Sequence, residues 1–372
     1  MPIQKIKVAI VGLGFGADFI PIYQQHPYSE LYAICQRSED NLKAAGKKYG
    51  IDRLYTDYKD LLKIKELDAI HIVTPADTHA PIVLDCLKAQ KHVACTVPMA
   101  IDVDDCKEIV KMRRKAGVNY MMMETAAYSR EFLYVKKLKD EGKLGKIQFL
   151  RGSHMQDMEE WGAPWPGWPP LNYATHAVSP LAILADAPVE WVFGLGSGRT
   201  REAYIKNWNC PFAVESMLMK FKNTDIGGEV TRSLYDTVRQ YIESFDVYGQ
   251  KLSFEWAKLD NEDPILYTGK EDFEKIKIPD TDGMLPKEIS RFTKSFEVMD
   301  EEEKSHLSFI QGSGHGGSHP HLVNEFIMSI VEKRDSAIDA EKAANWSSTG
   351  LLGNKSALSG SEKLYIPDFW NL

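Results

Sequence analysis

The chain has 372 residues, 44% of them hydrophobic and 26% charged, enough for two domains with ordinary packed cores. Its net charge of −8 argues against a nucleic-acid or anionic-membrane partner, since either needs a clustered basic surface. No apolar run reaches the length of a bilayer span, and the five cysteines (Cys35, Cys86, Cys95, Cys106, Cys210) form no CxxC pair. The chain enters an apolar strand at once, without a basic and apolar leader, so a cytoplasmic protein with reduced thiols is expected.

The first third alternates strand and helix. Residues 5–11, 31–36, 68–73 and 91–95 read as buried strands, and residues 16–25, 39–49, 77–89 and 102–116 read as helices. Residues 118–123 add another apolar strand. Near-continuous apolar strands joined by helices of this length predict a parallel sheet covered on both faces. The pattern changes near residue 128. A helix to about residue 140, a strand at 147–153, a Trp- and Pro-rich loop at 161–170 and a helix at 173–185 follow. Strands are then predicted at 189–194, 216–221, 227–234, 243–248, 251–255 and 265–267, joined by tight turns that favour antiparallel pairing. A Gly/His run from 312 to 321 leads into an amphipathic helix. The expected architecture is α/β. An N-terminal Rossmann domain with a parallel sheet (residues 1–125) precedes an α+β domain with an open, mostly antiparallel sheet (residues 126–372), for substrate binding and oligomerisation.

Gly12-Leu13-Gly14-Phe15-Gly16-Ala17 lies between the first strand and the first helix, in the G-x-G-x-x-G/A form. Gly12 permits a tight turn, Gly14 lets backbone N–H groups approach a pyrophosphate, and the helix N-terminus favours its charge. The second strand ends Cys35-Gln36-Arg37-Ser38, without the carboxylate that would accept from an adenosine ribose. Gln36 can still bond a ribose hydroxyl, and Arg37 with Ser38 can hold a 2′-phosphate. Both NAD and NADP therefore stay open.

Strand 91–95 runs into Thr96-Val97-Pro98. This frame, with the Gly-rich turn and the later Thr74-Pro75…His79, resembles the Gfo/Idh/MocA family of NAD(P)-dependent oxidoreductases. There the same strand usually ends Glu-Lys-Pro, and its lysine handles the substrate hydroxyl beside the nicotinamide. The resemblance implies cofactor contacts at Gly12, Gly14, Phe15, Gly16, Gln36, Arg37, Ser38, Thr74, Pro75, His79, Thr96, Val97 and Pro98. For His79 a plain role near a helix start competes. The family's Asp-x-x-x-His appears here as Asn172-Tyr173-Ala174-Thr175-His176. On one helix, Asn172 and His176 would share a face.

Val97 cannot exchange a proton, so His176 is the expected base, since imidazole titrates near neutrality. Glu124, at the carboxyl end of a parallel strand, is the expected second catalytic group. Tyr128, His154, Trp161, Trp165, Asn172, Tyr173, His315 and His319 are candidate substrate contacts, because sugar faces pack on aromatic rings and hydroxyls need polar partners. His-x-His spacing alone does not make a metal site, and none is expected. The combined reading is an NAD(P)-dependent oxidoreductase acting on a hydroxyl carbon of a sugar or glycoside, in a homodimer or tetramer. A redox-neutral glycoside-cleaving enzyme with tightly held NAD is the alternative, and a non-catalytic cofactor sensor the third reading.

Overall fold

The computed structural model describes residues 4–259, 262–294 and 315–372. Its first sheet is built from β1 (Ile6–Val11), β2 (Ser29–Cys35), β3 (Leu54–Tyr55), β4 (Ala69–Ile72), β5 (His92–Cys95) and β6 (Tyr120–Met122). Interleaved helices are α1 (Ile20–Gln25), α2 (Glu39–Tyr49), α3 (Tyr58–Leu62), α4 (His79–Lys88) and α5 (Val103–Ala116). The strand order is β3-β2-β1-β4-β5-β6, all parallel. Apolar side chains such as Val8, Ile10, Ile70, Val93 and Ala94 are fully buried, as expected of strands covered on both faces. Caps fix the helix ends: Ser38 accepts from the Asn41 amide, Asp102 from the Asp104 amide, and Gly50 and Gly117 close their helices in the left-handed region. Strand order reverses beside β1, so a crevice opens between β1 and β4 at their carboxyl ends.

The second part begins with α6 (Arg130–Asp140), β7 (Ile147–Met155), α7 (Thr175–Ala185), β8 (Val189–Ser197), α8 (Glu202–Trp208), β9 (Val214–Phe221) and β10 (Gly227–Ser233). It continues through β11 (Ile242–Gly249), β12 (Ser253–Glu255), β13 (Ile265–Tyr267), β14 (Phe273–Lys275), α9 (Lys287–Ser290), α10 (His319–Val331), α11 (Ala340–Leu358) and β15 (Leu364–Tyr365). Nine strands form one sheet in the order β14-β13-β12-β11-β7-β10-β9-β8-β15. Every pairing is antiparallel except β7 with β10. Helices α7 and α11 cover one face; Phe193, Leu195 and Leu218 stay exposed.

Helices α10 and α11 return to the first sheet. Asn324 bonds His26, Ser329 accepts from Asn119, and the Ser347 hydroxyl accepts from the Met99 amide at 3.1 Å. Helix α11 also grips the second sheet: the Asn345 side chain exchanges two hydrogen bonds of 3.0 Å with the Val189 backbone, and Ser356 accepts from the Gly194 amide. The expected helix at 173–185 splits: Pro170–Tyr173 is a separate 3₁₀ turn, and α7 starts at Thr175. Of the Gly/His run, residues 312–314 lie outside the described residues.

Candidate active site

The carboxyl ends of the parallel strands open into a cavity of about 1270 Å³. Its nucleotide end is walled by Gly12, Gly14, Phe15, Gln36, Arg37, Ser38, Thr74, Pro75, Thr96 and Val97. The local backbone explains this wall. Gly12 has φ +93°, and a Cβ there would run into the Val73 carbonyl, so only glycine makes the turn. A Cβ on Gly14 would meet nothing within 4 Å; the loop thus leaves open space where a pyrophosphate must approach. These residues fit a dinucleotide. Gln36 Oε1 accepts from the Leu13 amide at 3.2 Å, tying the second strand's tip to the glycine turn. Asp57, from the loop after β3, supplies to this wall the carboxylate that the tip of β2 lacks.

Three expected cofactor contacts sit behind the wall instead. Gly16 is buried, and a Cβ there would press on Ile10 and Val73, so it serves close helix–strand packing. His79 is buried with its ring nitrogens 2.7 and 2.8 Å from the carbonyl oxygens of Pro98 and Thr74. Pro98 contributes that carbonyl and not a cavity surface. Together they fix the loops that carry Thr74 and Val97.

The other end of the cavity is walled by Val97, Met123, Thr125, His154, Gln156, Trp161, Trp165, Tyr173, His176, Tyr241 and His315. Sheet register assembles its polar floor. His154 on β7 lies opposite Arg232 on β10 and Glu243 on β11, and Arg232 lies opposite Glu215 on β9. Paired residues face the same side of a sheet, so these four form one polar row across four strands beneath α7. Arg232 is fully buried and gives its hydrogen bonds to uncharged acceptors: Tyr173 O (3.0 Å), His154 O (3.1 Å) and Gln156 Oε1 (3.1 Å). Burial pushes its guanidinium down to about 10, and it holds the wall in shape.

His176 sits in the first turn of α7 and meets this row from above. Its Nδ1 donates to Glu124 Oε1 at 2.6 Å, and Glu243 Oε1 lies 2.9 Å from the same nitrogen but without hydrogen-bond geometry. Its Nε2 lies 3.4 Å from the Tyr173 hydroxyl. Burial opposes the imidazolium, but Glu124 and Glu243 outweigh it and hold His176 well above the ordinary histidine range. Burial likewise opposes the Glu243 carboxylate, and His176 outweighs it, so Glu243 stays ionised. His154 goes the other way: burial, then Arg232, pushes it well below the usual range, leaving a neutral imidazole. Tyr241 donates to Glu243 Oε2 at 3.0 Å, and His315 stacks on His176 with centroids 6.0 Å apart.

The structure therefore brings together His154, Trp161, Trp165, Tyr173, His176 and His315, as the sequence suggested. It corrects four placements. Glu124 is fully buried behind His176, also accepts from the Ala126 amide, and does not line the cavity. Asn172 is in the 3₁₀ turn, not on the His176 helix, and does not line the cavity. Tyr128 stacks on His321 and lines a second cavity of about 1060 Å³. His319 is buried against Phe15 and Phe19, behind the wall. Glu243, Tyr241, Arg232 and Gln156 escaped the sequence reading. Strand parity carried the signal: Glu243 alternates in phase with apolar Phe245 and Val247, and Glu215 with Met217 and Met219.

Residues 6–124 match the model of an oxidoreductase family with an NAD-binding Rossmann fold. That stretch carries the Gfo/Idh/MocA nucleotide-binding domain. Myo-inositol 2-dehydrogenase of Thermotoga maritima is 26% identical over 66% of this chain and 73% of that protein. A glycosyl hydrolase family 109 protein of Stenotrophomonas maltophilia is 24% identical over 98% of this chain and 89% of that protein. A levoglucosan dehydrogenase solved with NADH and levoglucosan shares the fold, with a TM-score of 0.78 at 16% identity over 98% of this chain and all of that one.

Proposed function

We propose that the protein transfers a hydride between NAD or NADP and a hydroxyl carbon of a sugar, glycoside or related polyol. The observation that carries this reading is one continuous cavity, with a glycine-turn nucleotide wall at one end and the buried His176 cluster at the other. The nicotinamide, when bound, supplies or accepts the hydride. Val97 gives an apolar wall, while Trp161, Trp165 and Tyr173 offer rings to an apolar sugar face. His176 exchanges the hydroxyl proton, held in place by Glu124; the protonated form favoured by its two carboxylates suits donation to a carbonyl oxygen in the reducing direction. NAD is favoured over NADP, because Asp57 on the cavity wall repels a 2′-phosphate. We also propose a boundary between residues 125 and 126, a cytoplasmic setting, and a homodimer or tetramer built on the sheet face exposing Phe193, Leu195 and Leu218. Among the described residues, no helix is long and apolar enough to cross a membrane.

A second reading is redox-neutral cleavage of a glycoside through transient oxidation by tightly held NAD. It is supported by the glycosyl hydrolase family 109 relative, aligned over 98% of this chain, and by the second buried carboxylate, Glu243, beside His176. Absorbance at 340 nm with NAD and a panel of inositols, anhydrosugars and glycosides separates the two. A substrate-dependent rise supports the dehydrogenase. Glycoside cleavage without a rise, by protein that keeps NAD through dialysis, overturns it.

A further inference from the structure

We infer that His154, His176 and Glu243 bind one divalent transition-metal ion, with a free coordination position facing the cavity. One nitrogen from each histidine and one Glu243 oxygen all lie within 4.8 Å of one another. A tetrahedral ion with bonds of about 2.0–2.1 Å needs donors roughly 3.4 Å apart, within reach of small side-chain rotations. His154 and Glu243 also hold donor atoms without a hydrogen bond. Neither ring nitrogen of His154 has a hydrogen-bond partner, although the residue is only 1% exposed, and the buried Glu243 Oε1 has no hydrogen bond, only the His176 ring 2.9 Å away. Buried polar atoms in native proteins are rarely left so, and several converging on one point mark a missing partner.

The surroundings match those of a metal centre. Glu124 takes the Nδ1 proton of His176, which leaves the Nε2 lone pair with only the long 3.4 Å contact to the Tyr173 hydroxyl for an ion to displace, and Tyr241 donates to the far oxygen of Glu243. Carboxylates and hydroxyls placed this way orient ligating side chains and raise their basicity. Two imidazoles and one carboxylate form a donor set used by catalytic zinc, which keeps a further position open. His154 and His176 both line the cavity beside Val97, so that position faces the expected substrate.

The assignment rests on the dehydrogenase reading's placing a substrate hydroxyl at His176, keeps its hydride transfer, and replaces the acid–base role of His176 with that of a neutral ligand. With the ion bound, His176 is a ligand and not the base. The hydroxyl oxygen coordinates the ion, its O–H bond breaks to give an alkoxide, and the proton goes to water in the cavity. The carbon's hydride then passes to oxidised nicotinamide, giving ketone and reduced cofactor. The ion thereby does the work that a lysine at position 97 would do.

The test is metal content and affinity of the full chain, by elemental analysis and by titration of chelator-treated protein with Zn²⁺, Mn²⁺ and Co²⁺, following the visible bands of Co²⁺. One ion per chain is expected. His154→Ala should lose it, and Glu124→Gln should bind roughly 10–100-fold more weakly, both with NADH binding retained as proof of folding. If wild type binds none of the three ions more tightly than His154→Ala, the metal site is refuted. Turnover that survives chelation alongside that result would leave the dehydrogenase reading standing. Metal binding without hydride transfer on any substrate would instead keep the metal site and overturn the dehydrogenase reading.

Discussion

Glu215 offers a sharp test of how the cavity floor is held. It is fully buried, and its Oε2 accepts from the Leu171 amide at 2.8 Å, pinning the 3₁₀ turn that presents Tyr173. Burial raises its carboxyl from 4.5 to about 7. Between those values the folded protein holds a proton that the unfolded chain has released, so stability falls as pH rises through this window. The contribution is fully present below about pH 4.5 and lost above about pH 7. A shift of about 2.5 units at 1.36 kcal/mol each amounts to about 3 kcal/mol. Glu215→Gln keeps an oxygen for the Leu171 amide and removes the titration. The assay is thermal unfolding of wild type and variant at pH 5 and pH 8. About two of those units lie between pH 5 and pH 8, about 2.7 kcal/mol, so at roughly 2 °C per kcal/mol for a chain of this size the fall in Tm between the two pH values should be about 5 °C smaller in the variant. All other titrating groups are common to both proteins, so equal falls would refute the reasoning.

His176→Ala should lower turnover by roughly 10²–10⁴-fold with NADH affinity unchanged by fluorescence titration; unaltered turnover would remove His176 from the chemistry. Gly14→Ala should leave Tm unchanged, because its Cβ meets nothing, yet weaken NADH binding at least about tenfold by intruding on the pyrophosphate path. Gly12→Ala should instead lower Tm, since its Cβ strikes the Val73 backbone and its φ of +93° strains any L side chain. Asp57→Asn should raise the NADP/NAD affinity ratio about tenfold by removing a like charge; an unchanged ratio would place the 2′-hydroxyl elsewhere.

The first sheet was legible because its signals are local. Apolar strands, caps such as Ser38 and Asp102, and a glycine turn at residue 12 all sit within a few residues of the element they define. Helix α11 was missed for a physical reason. Ala, Ser, Thr and Gly fill much of it, and it is buried on nearly all sides, so no amphipathic stripe marks it. At the site, His176 could be found from its string, but its partners could not. Glu124, 52 positions away, and Glu243, 67 positions on, are joined to it only by sheet pairing and helix docking. Asn172 misled for the opposite reason: a spacing of four means one face only inside one helix, and the break at Ala174 ends that inference.

Helix α11 touches both sheets through Ser347, Asn345 and Ser356. It acts as a strut between the strand tips that carry Val97 and the sheet that carries His154 and Glu243. In the proposed reaction, that strut ties the distance between the two walls of the cavity to the packing of one helix. A substitution that shortens a side chain along that helix should then loosen the registration of the two walls without touching either one.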